Sequence, residues 1–202
     1  MGIPVLILGE SGSGKSTSLR NFEPEEIAIF NVAGKRLPFK KKMPYIIETS
    51  NYGKIISKLK EGKFKRYVID DSQYLMSFEF FDKAKLTGYG KFTDIAVNFQ
   101  KLISSIVNDT PPDCIVYLLH HTEETNTGKL KIKTVGQMLD NQLTVEGLFT
   151  IVLMARYSNK EYKFITQTDG STPCKSPMDM FDLEMPNDLK IVDNKIREYY
   201  EI

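Results

Sequence analysis

Apolar residues run unbroken through positions 3–8 (IPVLIL) and stop at GESGSGKS, residues 9–16. A short continuous apolar run that ends in turn residues predicts a strand buried on both faces. The same pattern predicts strands at 26–32, 45–48, 66–70 (RYVID) and 114–120 (CIVYLLH). Between them the apolar period lengthens to that of a helix. One helix is expected over 15–21. Asn51 caps another that carries Ile55, Ile56 and Leu59 and is closed by Gly62. Two amphipathic helices are expected over 73–85 and 94–108, broken apart by LTGYGKF. Past residue 120 the pattern alternates, at 129–134 and 160–168, with an apolar run at 148–155 between them. Residues 187–200 then place Leu189, Val192 and Ile196 on one face of a closing helix. Strands alternating with helices, followed by a β-rich tail, predict an α/β fold. Its central sheet is expected to be mainly parallel and flanked by helices, with a C-terminal antiparallel β extension. No linker or repeat divides the chain, so residues 1–202 are read as a single domain.

Composition narrows the function only a little. The formal net charge of +1 gives no global attraction to nucleic acid or membrane, so any such binding must come from local patches. Two cysteines, Cys114 and Cys174, make no disulfide framework, which points to a reducing compartment. No apolar stretch is long enough to span a bilayer, so a cytoplasmic protein without a membrane partner is expected. Of the 27 basic residues only five are arginine (Arg20, Arg36, Arg66, Arg156 and Arg197), and they are scattered singly.

The chemistry lies in the turn after the first strand. GESGSGKS has the Walker A form, with Gly9, Gly14, Lys15 and Ser16 at its fixed places. Small residues let successive backbone N–H groups turn inward around a phosphate. Residues 9–17 (Gly9, Glu10, Ser11, Gly12, Ser13, Gly14, Lys15, Ser16 and Thr17) are therefore the expected ATP-binding segment. Lys15 supplies a point charge to the β- and γ-phosphates, and the Ser16 hydroxyl is an expected Mg²⁺ ligand. The strand at 66–70 ends in Asp70 and Asp71. Asp70 is expected to hold Mg²⁺ beside Ser16, and Asp71 to support it or to polarise the attacking water. The branch is narrowed by what is missing. No Asn-Lys-x-Asp specifies guanine, no Leu-Ser-Gly-Gly-Gln marks a transporter ATPase, and too few arginines are available for the clamp of a nucleotide kinase lid.

Taken with VIDDSQYL, the strand ending HHTEE, the segment KTVGQMLDNQLTVEGLF and the late CKSPMDMF followed by PNDL, the chain resembles the RecA-like P-loop ATPases. It is most similar to the small phage-encoded single-strand annealing and recombination proteins of the Sak class, over nearly its full length. The resemblance implies an ATPase that binds single-stranded DNA. It also implies a ring or filament of identical subunits with ATP at the interfaces, and work alongside a single-strand-binding protein in the host cytoplasm. It places a polar sensor at the strand tip His120-His121-Thr122, with His121 or Thr122 in that role. It makes 122–135 a DNA-contacting loop bearing Lys129, Lys131 and Lys133, three lysines on one side of a strand that otherwise guard a solvated edge. Lys131, Lys133, Arg156 and Lys175 are the candidates to reach a neighbouring subunit's ATP. Tyr89 and Lys91, in TGYGKF, suit a loop that stacks on bases, whereas Phe92 suits either that loop or the core. The basic loop with Lys35, Arg36 and Lys40–Lys42 is either a further nucleic-acid contact or plain solvated surface.

One departure stands out. RecA relatives carry a glutamate just past the second strand as general base, and here that place, near Val32-Ala33, has no acid. Glu48 is the alternative base; otherwise Asp71 polarises the water, or hydrolysis is slow and the nucleotide acts as a switch. The start of the chain, two residues before its first strand, also implies that subunits link through a surface other than the N-terminal extension of larger relatives. Two other readings stay open: a small nucleoside or nucleotide kinase, and an ATP-dependent assembly module for another DNA-processing protein.

Overall fold

A computed structural model of the chain describes residues 1–136, 139 and 143–202. Gln137, Met138 and residues 140–142, inside the KTVGQMLDNQLTVEGLF segment, lie outside the described residues. The fold is mixed α/β around one sheet ordered β3-β2-β4-β5-β1-β7-β8-β9, with β6 pairing β5 off this path. Six strands run parallel: β1 (Ile3–Gly9), β2 (Ala28–Asn31), β3 (Ile46–Glu48), β4 (Arg66–Asp70), β5 (Ile115–Glu124) and β7 (Ile151–Ser158). Antiparallel pairing begins with β6 (Leu130–Ile132) on β5 and continues from β7 through β8 (Glu161–Ile165) to β9 (Glu184–Pro186). The expected parallel core with an antiparallel C-terminal extension is therefore present.

The unbroken apolar strands are explained by burial on both sides. Leu6 and Leu8 face one apolar layer with Phe30, Ile69 and Leu118. On that side lie α1 (Tyr52–Lys60), α2 (Gln73–Asp82) and α3 (Gly90–Asp109), which contribute Ile55, Leu75, Phe99 and Leu102. Val5 and Ile7 face the other layer with Leu119 and Leu153, covered by Leu19 and by Val192 and Ile196 of α4 (Leu189–Tyr200). Each such buried side chain contributes about 1.5–3 kcal/mol over its exposed state. The expected Asn51 cap forms, accepting from the Lys54 amide, and Asp188 caps the last helix by accepting from the Lys190 amide. Among the described residues no helix is long and apolar enough to cross a membrane.

Three local expectations change. The segment expected as a helix over 15–21 is a 3-10 helix, Ser16–Asn21. The Ser18 hydroxyl donates to the Lys15 carbonyl at 2.6 Å, and its amide is shared between the Gly14 and Lys15 carbonyls, which tightens the turn. The polar stretch after His121 is not a loose loop at its start. β5 runs on to Glu124 and hairpins into β6 through a turn at 125–128, closed by the Gly128 amide on the Thr125 carbonyl at 3.0 Å. Gly128, at φ +78°, takes the left-handed conformation the turn needs. Finally, α3 begins at Gly90 rather than 94, taking the end of the TGYGKF segment into a helix.

Candidate functional site

The parallel strands end on one edge of the sheet, where an open α/β sheet places its ligands. Register sets the neighbours: Gly9 of β1 lies beside His121 of β5, and Asn31 of β2 beside Asp70 of β4. A cavity of about 250 Å³ opens there, lined by Ser11 to Thr17, Lys35, Arg36, Pro38, Asp70, Asp71, His121 and Tyr162. Gly9, Gly12 and Gly14 all have positive φ, so the loop curls in a way that side chains would oppose. A Cβ on Gly14 would come within 2.8 Å of the Tyr162 ring and 3.1 Å of the Asn187 amide.

Lys15 lies at the centre of this loop. Its ammonium donates to the Gly9 carbonyl at 2.7 Å and the Glu10 carbonyl at 2.8 Å, and the residue is only 6% exposed. Burial pushes its pKa down to about 8, against the opposing pull of Asp71 and Asp70. An anion in the loop would restore the charge. Next to it, Ser16 Oγ donates to Asp70 Oδ1 at 2.8 Å, a contact that spans 54 positions of sequence. Burial raises the Asp70 pKa, opposed by the Ser16 hydrogen bond. A hydroxyl and a carboxylate at this separation are hard oxygen donors that fit a magnesium ion which keeps its water and takes the remaining ligands from phosphate. Among the described residues no group of three His, Cys, Asp or Glu is placed to hold a metal ion.

Asp71 is the strained member, at φ +58°. Its carboxylate meets Lys35 Nζ at 2.6 Å and lies 3.4 Å from His121 Nε2. Burial pushes the Asp71 pKa up, but the contacts with His121 and Lys35 outweigh it and hold the carboxyl below its usual range. The Lys35 ammonium is raised, chiefly by the bond to Asp71. Of the two adjacent histidines the structure separates the roles. His121 faces the cavity, whereas His120 is fully buried between Ser72 and the Lys133 carbonyl, each at 2.8 Å. The Thr122 hydroxyl is buried without a hydrogen bond.

Beyond Tyr162 the cavity adjoins a wider cleft of about 570 Å³ that shares Thr17 and includes Arg20, Glu184 and Asn187. Asn187 is buried beneath Gly14, and neither atom of its amide finds a partner. Arg20 donates to the carbonyls of Thr17 and Asn187, joining the 3-10 helix to the chain before α4.

The structure thus gathers the residues of the 9–17 loop, Asp70, Asp71 and His121. It does not bring Glu48 to them. Glu48 ends β3, the outermost strand, is exposed, and lines not that cavity but a neighbouring cleft, which holds Lys40, Lys41 and Lys42 and shares Lys35 and Arg36 with it. The other candidates disperse. Arg156 is exposed on β7 and lines a second cavity of about 410 Å³ against its own chain's loop, with Glu10 to Ser13. Lys175 pairs its backbone with Val152, and Lys131 pairs with Glu123 across the hairpin at 2.9 Å. Lys129 and Lys133 are exposed on the same hairpin, whose Ile132 is buried. Tyr89 is 88% exposed, while the Lys91 ammonium lies over the Phe80 and Phe92 rings. Phe92 is half-buried and stacks on Phe80. Sequence reasoning left Lys35 and Arg36 in a surface loop and gave no site role to Tyr162 or Asn187. The first pair's signal was their place just past the second strand; the second pair had none. No family model matches this chain, and no curated relative aligns with it significantly.

Proposed function

We propose that the protein is a RecA-like P-loop ATPase that binds ATP with Mg²⁺ and, on single-stranded DNA, promotes strand annealing or recombination. The observation that carries the nucleotide half is the 2.8 Å Ser16–Asp70 contact beside a glycine-lined loop that buries Lys15. On this reading the triphosphate takes the 250 Å³ cavity and the nucleoside the adjoining 570 Å³ cleft, past Tyr162. Lys15 leaves the loop carbonyls for the phosphates. Mg²⁺ held by Ser16 and Asp70 would neutralise phosphate charge. His121, touching Asp71 at the cavity wall, senses the γ-phosphate, and its strand continues directly into the hairpin with Lys129 and Lys133. Loss of that phosphate is thereby coupled to a basic surface suited to a DNA backbone. The DNA half, assembly into a homo-oligomer and the Sak-class relationship rest on the sequence resemblance.

A second reading is favoured by one feature: the place just past β2, Val32-Ala33, holds no acid, which suits a nucleotide-gated assembly module with slow turnover. One experiment separates the readings. ATP hydrolysis is measured with and without single-stranded DNA, together with DNA retention with and without nucleotide. DNA-stimulated turnover supports the leading reading, ATP-dependent assembly indifferent to DNA supports the second, and phosphate transfer to a nucleoside would make the protein a kinase. Lys15→Ala is expected to abolish ATP binding by calorimetry; unchanged affinity removes the site.

A further inference from the structure

We infer that Lys35 is a catalytic cation supplied in cis: it binds the γ-phosphate in its own chain's site, where the family otherwise borrows a basic residue from a neighbouring subunit. The inference rests on the nucleotide reading above and deepens it.

The backbone of Lys35 is fixed in place. Asn31, buried at the end of β2, donates from its side-chain amide to the Lys35 carbonyl at 2.7 Å. The Val32 amide reaches the Asp70 carbonyl at 3.3 Å, tying the same turn to β4. Gly34, at φ +65°, supplies the reversal between them. The turn therefore delivers Lys35 to the cavity wall that Asp70, Asp71 and His121 form.

The side chain, in contrast, is exposed and held at its end. It is 60% exposed, and the Asp71 carboxylate at 2.6 Å is the contact that holds its ammonium, with the Tyr74 ring 5.3 Å away. A four-carbon arm on an anchored Cα can trade one anion for another without moving the backbone. Charge balance favours the trade. The cavity's fixed charges are Lys15, Lys35 and Arg36 against Asp70 and Asp71. A triphosphate with one magnesium ion adds about two net negative charges. The γ-phosphate, at the far end from the nucleoside cleft, is the portion nearest Lys35 and Asp71. A diphosphate does not reach them, so Lys35 distinguishes the two nucleotides.

The step served is hydrolysis. A water oxygen bonds to the γ-phosphorus as the bond to the β,γ-bridging oxygen breaks, and that bond's electron pair stays on the diphosphate. The proton given up by the water ends on the released phosphate. Lys35 neutralises the charge on the three γ-oxygens during this transfer, the part a basic finger plays in related reactions.

The test uses the full chain as wild type, Lys35→Ala, Lys35→Arg and Lys15→Ala, with folding checked by circular dichroism. Affinities for Mg·ADP and for a slowly hydrolysed ATP analogue are measured by calorimetry, and turnover is followed by phosphate release. For Lys35→Ala the expected results are ADP affinity within about twofold of wild type, analogue affinity about tenfold weaker, and turnover lower by about a hundredfold or more. Lys35→Arg recovers much of the loss. A merely structural pairing with Asp71 would weaken both nucleotides alike. Mixing Lys15→Ala with Lys35→Ala separates cis from trans: a cis residue leaves the mixture as inactive as its components, whereas recovered turnover places Lys35 in a neighbour's site. Wild-type turnover in Lys35→Ala, loss of ADP and analogue affinity in parallel, or recovery on mixing overturns the inference and leaves the nucleotide reading standing. Failure of the wild type to bind either nucleotide overturns both.

Discussion

Acidification tests the buried His120. The ring is fully buried within β5, next to the cavity-facing His121. Its Nε2 faces the Lys133 carbonyl, which can only accept, so the neutral ring carries its proton there and Nδ1 accepts from the Ser72 hydroxyl. Burial drives its pKa from 6.5 down to about 3. The sign follows from which state binds the proton. Below pH 6.5 the unfolded chain protonates His120 and the folded chain does not, so stability falls as pH falls, down to about pH 3. The limiting slope is about 1.4 kcal/mol per pH unit, and integrating from neutral pH to pH 5 gives roughly 2 kcal/mol. That is a large share of the ~5–15 kcal/mol typical of a domain, yet not enough to unfold it. Other groups titrate in the same range: the carboxyls of Asp70 and Asp71 are shifted in opposite directions. Comparison with His120→Gln cancels them, because a glutamine amide can keep both hydrogen bonds without a titratable proton. Urea unfolding of the two proteins at pH 7.5 and pH 5 should show the wild type losing about 2 kcal/mol more than the variant. A differential below about 0.5 kcal/mol, the scatter of such extrapolations, would show that His120 takes up its proton inside the fold and would refute the reasoning.

Two further outcomes are expected away from that ring. Asp193 on α4 is fully buried and receives Arg66 Nε at 2.7 Å, Arg197 Nε at 3.0 Å and the Tyr117 hydroxyl at 2.8 Å. Asp193→Ala removes the buried carboxylate that two guanidinium groups share, leaving Arg66 with Glu26 at 3.5 Å and Arg197 with the Asp113 and Lys65 carbonyls, and should cost about 3 kcal/mol in chemical denaturation, while nucleotide affinity of the folded fraction stays as in wild type. Gly14→Ala meets a φ of +93° as well as Tyr162 and Asn187. The exposed Tyr162 ring can swing aside but the backbone cannot, so a loss of about 1–3 kcal/mol by urea titration is expected, with ADP binding lost in a calorimetric titration.

How much of this was legible in one dimension depends on the range of the forces involved. The strands at IPVLIL, RYVID and CIVYLLH were readable because a strand buried on both faces must be apolar at every position, a local requirement. The Asn51 cap and the glycine loop were readable for the same reason, since each satisfies backbone groups within a few residues. The joining of Ser16 to Asp70 was anticipated only through the motif; no local pattern places two residues 54 positions apart. The 3-10 form of Ser16–Asn21 and the extension of β5 to Glu124 were missed because a hydroxyl's competing bond and a cross-strand partner decided them. β9 gave no signal, since three residues on a sheet edge need little hydrophobic pattern of their own. Lys35 shows the division most plainly. Its composition context, a run of lysines and an arginine, reads as solvated surface. Strand order then seats β2 beside β4, and a buried asparagine carries the lysine to Asp71. The amino-acid pattern by itself determined which segments are buried and which loop can cradle an anion, because burial and backbone turning act between near neighbours. The charges that meet around that loop were decided only in three dimensions, by a sheet whose strand order does not follow the chain.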